Sequence, residues 1–200
     1  MRAPHSLIVF LLLGSASMIG LPRLYPQQHP FEAGVGVVYA PGHAFILKAP
    51  DGWILDRESR GSACPEPVFY PVGFTAKDSP VLIWAGSMRS EPGGRDRIRE
   101  VLEERERSLS PLRGAGVKAD RLDEWRVGKK GVRAEIYTFV SEPGGDPLLE
   151  RIGCFPTATS IDYVVLQAKE RAFYERSLAA FASIVKSYIP FQGGPVYIPR

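Results

Sequence analysis

The sequence predicts an α+β domain, a largely antiparallel sheet packed by two main helices, and three observations carry that prediction. Short apolar runs rich in branched and aromatic residues recur between turns containing Gly or Pro, too closely spaced to hold the crossover helices of a parallel sheet. A charged segment opening near Asp96 places Ile98, Val101, Leu102 and Leu109 on one apolar stripe. A longer segment, from about Lys169 to Tyr188, repeats Tyr174, Leu178, Phe181, Val185 and Tyr188 at helical spacing with Ile184 beside them, and Pro190 stops it.

The 200 residues are 44% hydrophobic and 24% charged, the balance of a folded globular chain with material for one sizeable core. The 18 prolines and 20 glycines point to many turns between short elements. The net charge is only +3, and the densest charged run, Arg95 to Arg107, alternates Arg with Asp and Glu. A nucleic-acid surface would show a one-sided basic stripe, so no nucleic-acid partner is expected.

The N-terminus sets the expected compartment. Arg2 precedes a wholly apolar run, Leu7 to Leu13, and the small residues Gly14, Ser15, Ala16 and Ser17 follow, which is the order of a secretory signal peptide. Cleavage after Ser17 is one reading; the other is an uncleaved anchor, since Met18 to Leu24 stays fairly apolar. Leu7 to Leu21 falls short of the roughly 20 residues a bilayer span needs, which favours cleavage. Residues 1–20 are therefore expected to be a signal peptide or N-terminal anchor, 21–42 an irregular lead, 43–190 a single α+β domain and 191–200 a Pro/Gly-rich tail. The expected location is periplasmic or extracellular, with membrane contact only through an uncleaved N-terminus.

Along the chain, Val35 to Tyr39 offers an edge strand within the lead. Ala44 to Lys48 and Trp53 to Leu55 flank Pro50-Asp51-Gly52, and the turn chemistry between them predicts a hairpin. Arg57 to Pro67 is a polar loop holding Cys64, and Val68 to Tyr70 is a short strand. Val81 to Ala85 is a continuous apolar run, read as a central buried strand. Asp96 is a fitting N-cap for a helix through about Ser108, which Pro111 and Gly114 should end. Four further strands are expected near 117–125, 131–140, 148–155 and 161–168. Ser90-Glu91-Pro92-Gly93-Gly94 recurs as Ser141-Glu142-Pro143-Gly144-Gly145, which is either a relic of duplication or one good turn used twice.

The pattern Phe45-x-Leu47-x-Ala49-Pro50-x-Gly52-Trp53-x-Leu55-Asp56, followed by Val68-Phe69-Tyr70-Pro71-x-Gly73 and the order of elements up to Tyr188, resembles a group of small exported bacterial proteins that in turn look like the PsbP-like α/β/α sandwich proteins. The resemblance implies an antiparallel sheet with helices against its faces. It also implies accessory or partner-binding behaviour, as in extrinsic subunits of photosystem II, and brings no shared catalytic set or metal ligands to carry over.

The residues themselves supply little chemistry. Of three histidines, only His43 lies in the expected domain, beside Gly42, where a turn residue is the plain reading and a catalytic base the sharper one. There is no HExxH, paired CxxC or GxSxG, and no phosphate-binding glycine loop before a helix, so no metal, cofactor or catalytic set is implied. Asp51 fits its turn, and Asp56 fits a strand end. Cys64 and Cys154, an even pair in an exported chain, are expected to form a disulfide, the alternative being two buried free thiols. Among the aromatics, Trp53, Tyr70 and Phe74 belong either to the core or to an apolar pocket at strand ends.

These readings predict an exported, non-enzymatic accessory or binding module of the cell envelope, recognising an envelope protein partner or a small apolar ligand. The competing classes are a small secreted hydrolase built on His43 and scattered acids, and a structural envelope protein without a discrete ligand.

Overall fold

The computed structural model describes residues 34–40, 43–56, 67–89, 97–113, 116–141 and 147–191. The N-terminal segment, the Cys64 loop, most of both Ser-Glu-Pro-Gly-Gly repeats and the tail after Phe191 lie outside the described residues. The elements are β1 (Val35–Ala40), β2 (His43–Lys48), β3 (Trp53–Asp56), β4 (Val68–Pro71), β5 (Val81–Arg89), α1 (Arg97–Arg113), β6 (Val117–Val127), β7 (Val132–Ser141), β8 (Pro147–Pro156), β9 (Ser160–Ala168), α2 (Arg171–Lys186) and β10 (Ile189–Phe191). Every strand pairing is antiparallel, so the α+β class expected from closely spaced turns is the observed one.

The large sheet has seven strands in the order β3-β4-β5-β9-β8-β7-β6. Side chains alternate across it, so β9 sends Val164, Leu166 and Ala168 to one face and Ile161 and Val165 to the other. The first face packs against Phe181, Ile184 and Val185 of α2. The second packs against Ile98, Val101, Leu102 and Leu109 of α1, the stripe read from the sequence. The helices thus cover opposite faces, and the central strand is apolar on both.

Two details depart from the sequence reading. The segment Pro50-Asp51-Gly52 does make a turn, with Trp53 N–H donating to the Pro50 carbonyl at 3.1 Å and Gly52 at φ +77°. It does not close a hairpin, because β2 pairs with β1 and β10 while β3 pairs with β4. The turn moves the chain from a separate three-stranded sheet, ordered β1-β2-β10, into the large one. The second departure is α1, which runs through Pro111 to Arg113; the proline removes one N–H donor only two residues before the helix ends.

The small sheet turns Val38, Phe45 and Leu47 inward to the α2 side of the core. Its register sets Val37, Ile46 and Ile189 side by side on the opposite face, with Tyr39 and Phe191 flanking Ala44 one step further along. That outer face is apolar yet exposed, Tyr39 by 53%, Ile189 by 53% and Phe191 by 52%.

Candidate functional site

A buried polar knot joins the two sheets. Asp162 on β9 has no solvent exposure and accepts hydrogen bonds at 2.6 Å from His43 Nε2 on β2, 2.7 Å from Ser87 Oγ on β5, and 2.7 Å from the Tyr188 hydroxyl just beyond α2. Ser160 Oγ lies 3.2 Å from the same His43 nitrogen. Around the knot, Tyr188 stacks on Phe155 with ring centroids 4.0 Å apart and leans on Phe45 at 5.3 Å. Burial first, and then the Asp162 carboxylate, push the Tyr188 phenol above its ordinary value, which keeps it a donor.

This corrects the plain reading of His43 as a turn residue: it opens β2 and carries a buried partner. No local pattern points to this pairing, because Asp162 stands 119 residues away in an apolar strand. The residue types are those of a hydrolase, but the geometry is that of a clamp. A relay places the carboxylate and the hydroxyl on opposite imidazole nitrogens. Here both meet Nε2, Nδ1 has no hydrogen-bond partner among the described residues, and Ser160 is 2% exposed.

The three aromatics named from the sequence stand in different settings. Trp53 lines a groove of about 570 Å³ between the 48–51 turn and the Arg176–Ser187 side of α2. Tyr70 is buried on β4 and donates to Asp56 Oδ2 at 3.1 Å, with burial and that carboxylate raising its phenol. Phe74 sits in the loop after β4, edge-on to Phe173 of α2 at 6.4 Å.

The expected Cys64–Cys154 bridge is absent; Cys154 is a free, buried thiol, and Cys64 lies outside the described residues. Cys154 stands mid-strand on β8, packed under α1 with Ile152 and Val165. Burial, and then the Glu135 charge, push its thiol well above the ordinary range, so it is a core residue and not a thiolate. Among the described residues, no three His, Cys, Asp or Glu side chains converge as a metal-binding group.

A second cavity, more apolar in its lining, lies elsewhere. It encloses about 580 Å³ beside β10, with Val35, Ile46, Val132, Tyr188, Ile189 and Pro190 as apolar walls. Its rim carries Lys48, Lys129, Lys130 and Lys186. The turn from β6 to β7 builds one side: Gly128 and Gly131 hold φ +65° and +61°, and Gly131 N–H donates to the Gly128 carbonyl at 3.2 Å. Gly128 is required there, since a Cβ would come within 2.9 Å of the Tyr188 carbonyl oxygen. The opposite side is fixed by Ser187, whose Oγ donates to the Ile184 carbonyl at 2.6 Å and accepts from Lys48 N–H at 2.9 Å, tying β2 to the end of α2. Sequence reasoning passed over this site. Its one local cue was Gly128-Lys129-Lys130-Gly131, two lysines held between two turn glycines.

Fold and cavity together define a small α/β/α protein whose ligand-sized space lies at the junction of its two sheets. No family profile and no curated protein matches the sequence. Among solved structures, the chain is similar to the cyanobacterial PsbP (CyanoP) of Synechocystis sp. PCC 6803, at 13% identity and a TM-score of 0.46, covering 90% of this chain and 99% of that one. It is also similar to LpqN of Mycobacterium tuberculosis, a protein described as involved in cell envelope biogenesis, at 17% identity and a TM-score of 0.48, covering 79% of this chain and 91% of that one. A PsbP structure thus stands among those similar to the chain, as the sequence resemblance led one to expect. Among the described residues, no helix is long and apolar enough to cross a membrane.

Proposed function

We propose that this chain is an exported, non-catalytic accessory module that takes up a small, largely apolar ligand in the cavity beside β10. The observation that carries the reading is that cavity: about 580 Å³, walled by apolar side chains from β1, β2, β7 and β10. Small-molecule sites fall at roughly 300–1,000 Å³ and share this mix of apolar walls and few polar groups. The Asp162 knot supports the reading from beneath, because it pins β2 and Tyr188, two of the cavity's walls, onto β9. Export is supported by the basic start, apolar run and small residues of the first 17 positions.

The test is a titration of the purified chain with N-phenyl-1-naphthylamine, an uncharged probe that fluoresces in apolar surroundings. Saturable binding of one probe per chain is expected, weakened by Ile189→Asp at a half-exposed position on the cavity wall, with circular dichroism checking that the variant folds. Absence of saturable binding, or binding indifferent to Ile189→Asp, would contradict the proposal.

A further inference from the structure

Building on the binding reading above, we infer that the ligand is a single-chain anionic amphiphile, its acidic head on the lysine rim and its chain along the apolar outer face of the small sheet. The first ground is charge. Four lysines from β2, the β6–β7 turn and the end of α2 meet at one rim, and no Asp or Glu lines the cavity among the described residues. Among the described residues, Lys129, Lys130 and Lys186 make no ion pair, although Lys186 also lies 5.7 Å from the Trp125 ring. The contrast with the adjoining strands is informative. Arg121, Arg126 and Arg133 of β6 and β7 are matched by Glu124 and Glu135, and Lys118 lies against Glu106. Lys129, Lys130 and Lys186, gathered where no carboxylate lines the cavity among the described residues, create a local positive field that an anion would neutralise.

The second ground is the surface that continues from the cavity. Ile189 belongs both to the cavity wall and to the exposed face, and Tyr39 and Phe191 extend that face beyond it. Apolar side chains left half-exposed in a row mark an interaction surface. A free inorganic anion would use the lysines but not this face, and a neutral apolar compound would use the face but not the lysines. An amphiphile with one acidic head, phosphate or carboxylate, uses both.

The experiment is calorimetric titration with four probes: dodecyl phosphate and dodecyl maltoside, each kept below micelle formation, inorganic phosphate, and phosphatidylglycerol vesicles. The expected result is one dodecyl phosphate per chain. In the Lys129→Gln, Lys130→Gln, Lys186→Gln triple variant, this binding should weaken about tenfold, the product of three exposed charge contacts of modest individual worth. Dodecyl maltoside should bind more weakly than dodecyl phosphate and stay within about twofold in that variant, since it lacks the head those contacts serve. Equal binding of both dodecyl compounds, unchanged in the triple variant, would overturn the anionic head and leave the apolar-ligand reading standing. Failure of every chain-bearing probe would sink both. Inorganic phosphate binding as tightly as dodecyl phosphate would overturn the amphiphile in favour of a free anion, and binding to vesicles alone would overturn it in favour of a membrane surface. Circular dichroism of the variants confirms that they fold.

Discussion

Replacing Asp162 with Ala removes the acceptor that serves His43, Ser87 and Tyr188 at once. The two serine hydroxyls of the knot can rotate, and Ser160 already has Thr157 at 2.8 Å. His43 and Tyr188 cannot turn away, because Tyr188 is stacked between Phe155 and Phe45 and the His43 side chain is only 16% exposed. At about 1–3 kcal/mol for each of these two buried donors left without a partner, the loss comes to about 2–6 kcal/mol. For a chain of this size that lowers Tm by roughly 4–24 °C. Tyr188→Phe, which removes one donor and leaves the acceptor, should cost about 1–2 kcal/mol. Urea and thermal unfolding followed by circular dichroism measure both. If Asp162→Ala unfolds within about 1 kcal/mol of the parent, the knot contributes nothing net, and its role in holding the small sheet would have to be abandoned.

Three further outcomes follow from the same structure. Cys154 should resist iodoacetamide in the folded protein at about pH 8, near the ordinary thiol value, and react after unfolding in urea; mapping the labelled peptide by mass spectrometry decides it, and equal labelling in both states refutes it. The Tyr188 phenol is raised in the fold, so its contribution to stability is complete below the unfolded value of 10.0 and is lost as pH rises above that. The parent should therefore lose stability in that alkaline window more steeply than Tyr188→Phe, and parallel curves would contradict the assignment. Gly128→Ala combines a left-handed φ with a Cβ at 2.9 Å from backbone, whereas Gly131→Ala meets only the φ. The first should cost about 1–2 kcal/mol and weaken probe binding, and the second about 1 kcal/mol with binding intact; the reverse order would show that the turn tolerates the close approach.

Local patterns made the elements legible and long-range partners made the site illegible. The stripes Ile98-Val101-Leu102-Leu109 and Tyr174-Phe181-Val185 announced their helices because period and burial coincide in them. The run Val81 to Ala85 read as a buried strand for the same reason, and β5 does lie inside the large sheet. The split into two sheets was hidden, since a Pro-Asp-Gly turn looks alike whether the strands beside it pair or part. Only the β1 and β10 segments, recruited from the supposed lead and from the last residues before the tail, show where β2 finds its neighbours. The cysteine expectation rested on counting and compartment, neither of which shows that Cys154 faces α1 from mid-strand. Trp53, Tyr70 and Phe74 were grouped by nearness in sequence, yet alternation and a loop send them to different surroundings. The lysine rim gathers residues from positions 48 to 186, and only the Gly128–Gly131 turn was visible locally.

The most direct measurement of ligand uptake beside β10 is an amide-resolved NMR titration of the isotope-labelled chain with dodecyl phosphate. Saturable shifts are expected, confined to Val35, Val37, Tyr39, Ile46 to Lys48, the Gly128–Val132 segment and Lys186 to Phe191, the borders of the cavity and of its exposed apolar face. Shifts centred instead on Trp53, Arg176 and Ser183, which line the groove on the other side of α2, or no saturable shifts at all, would contradict it.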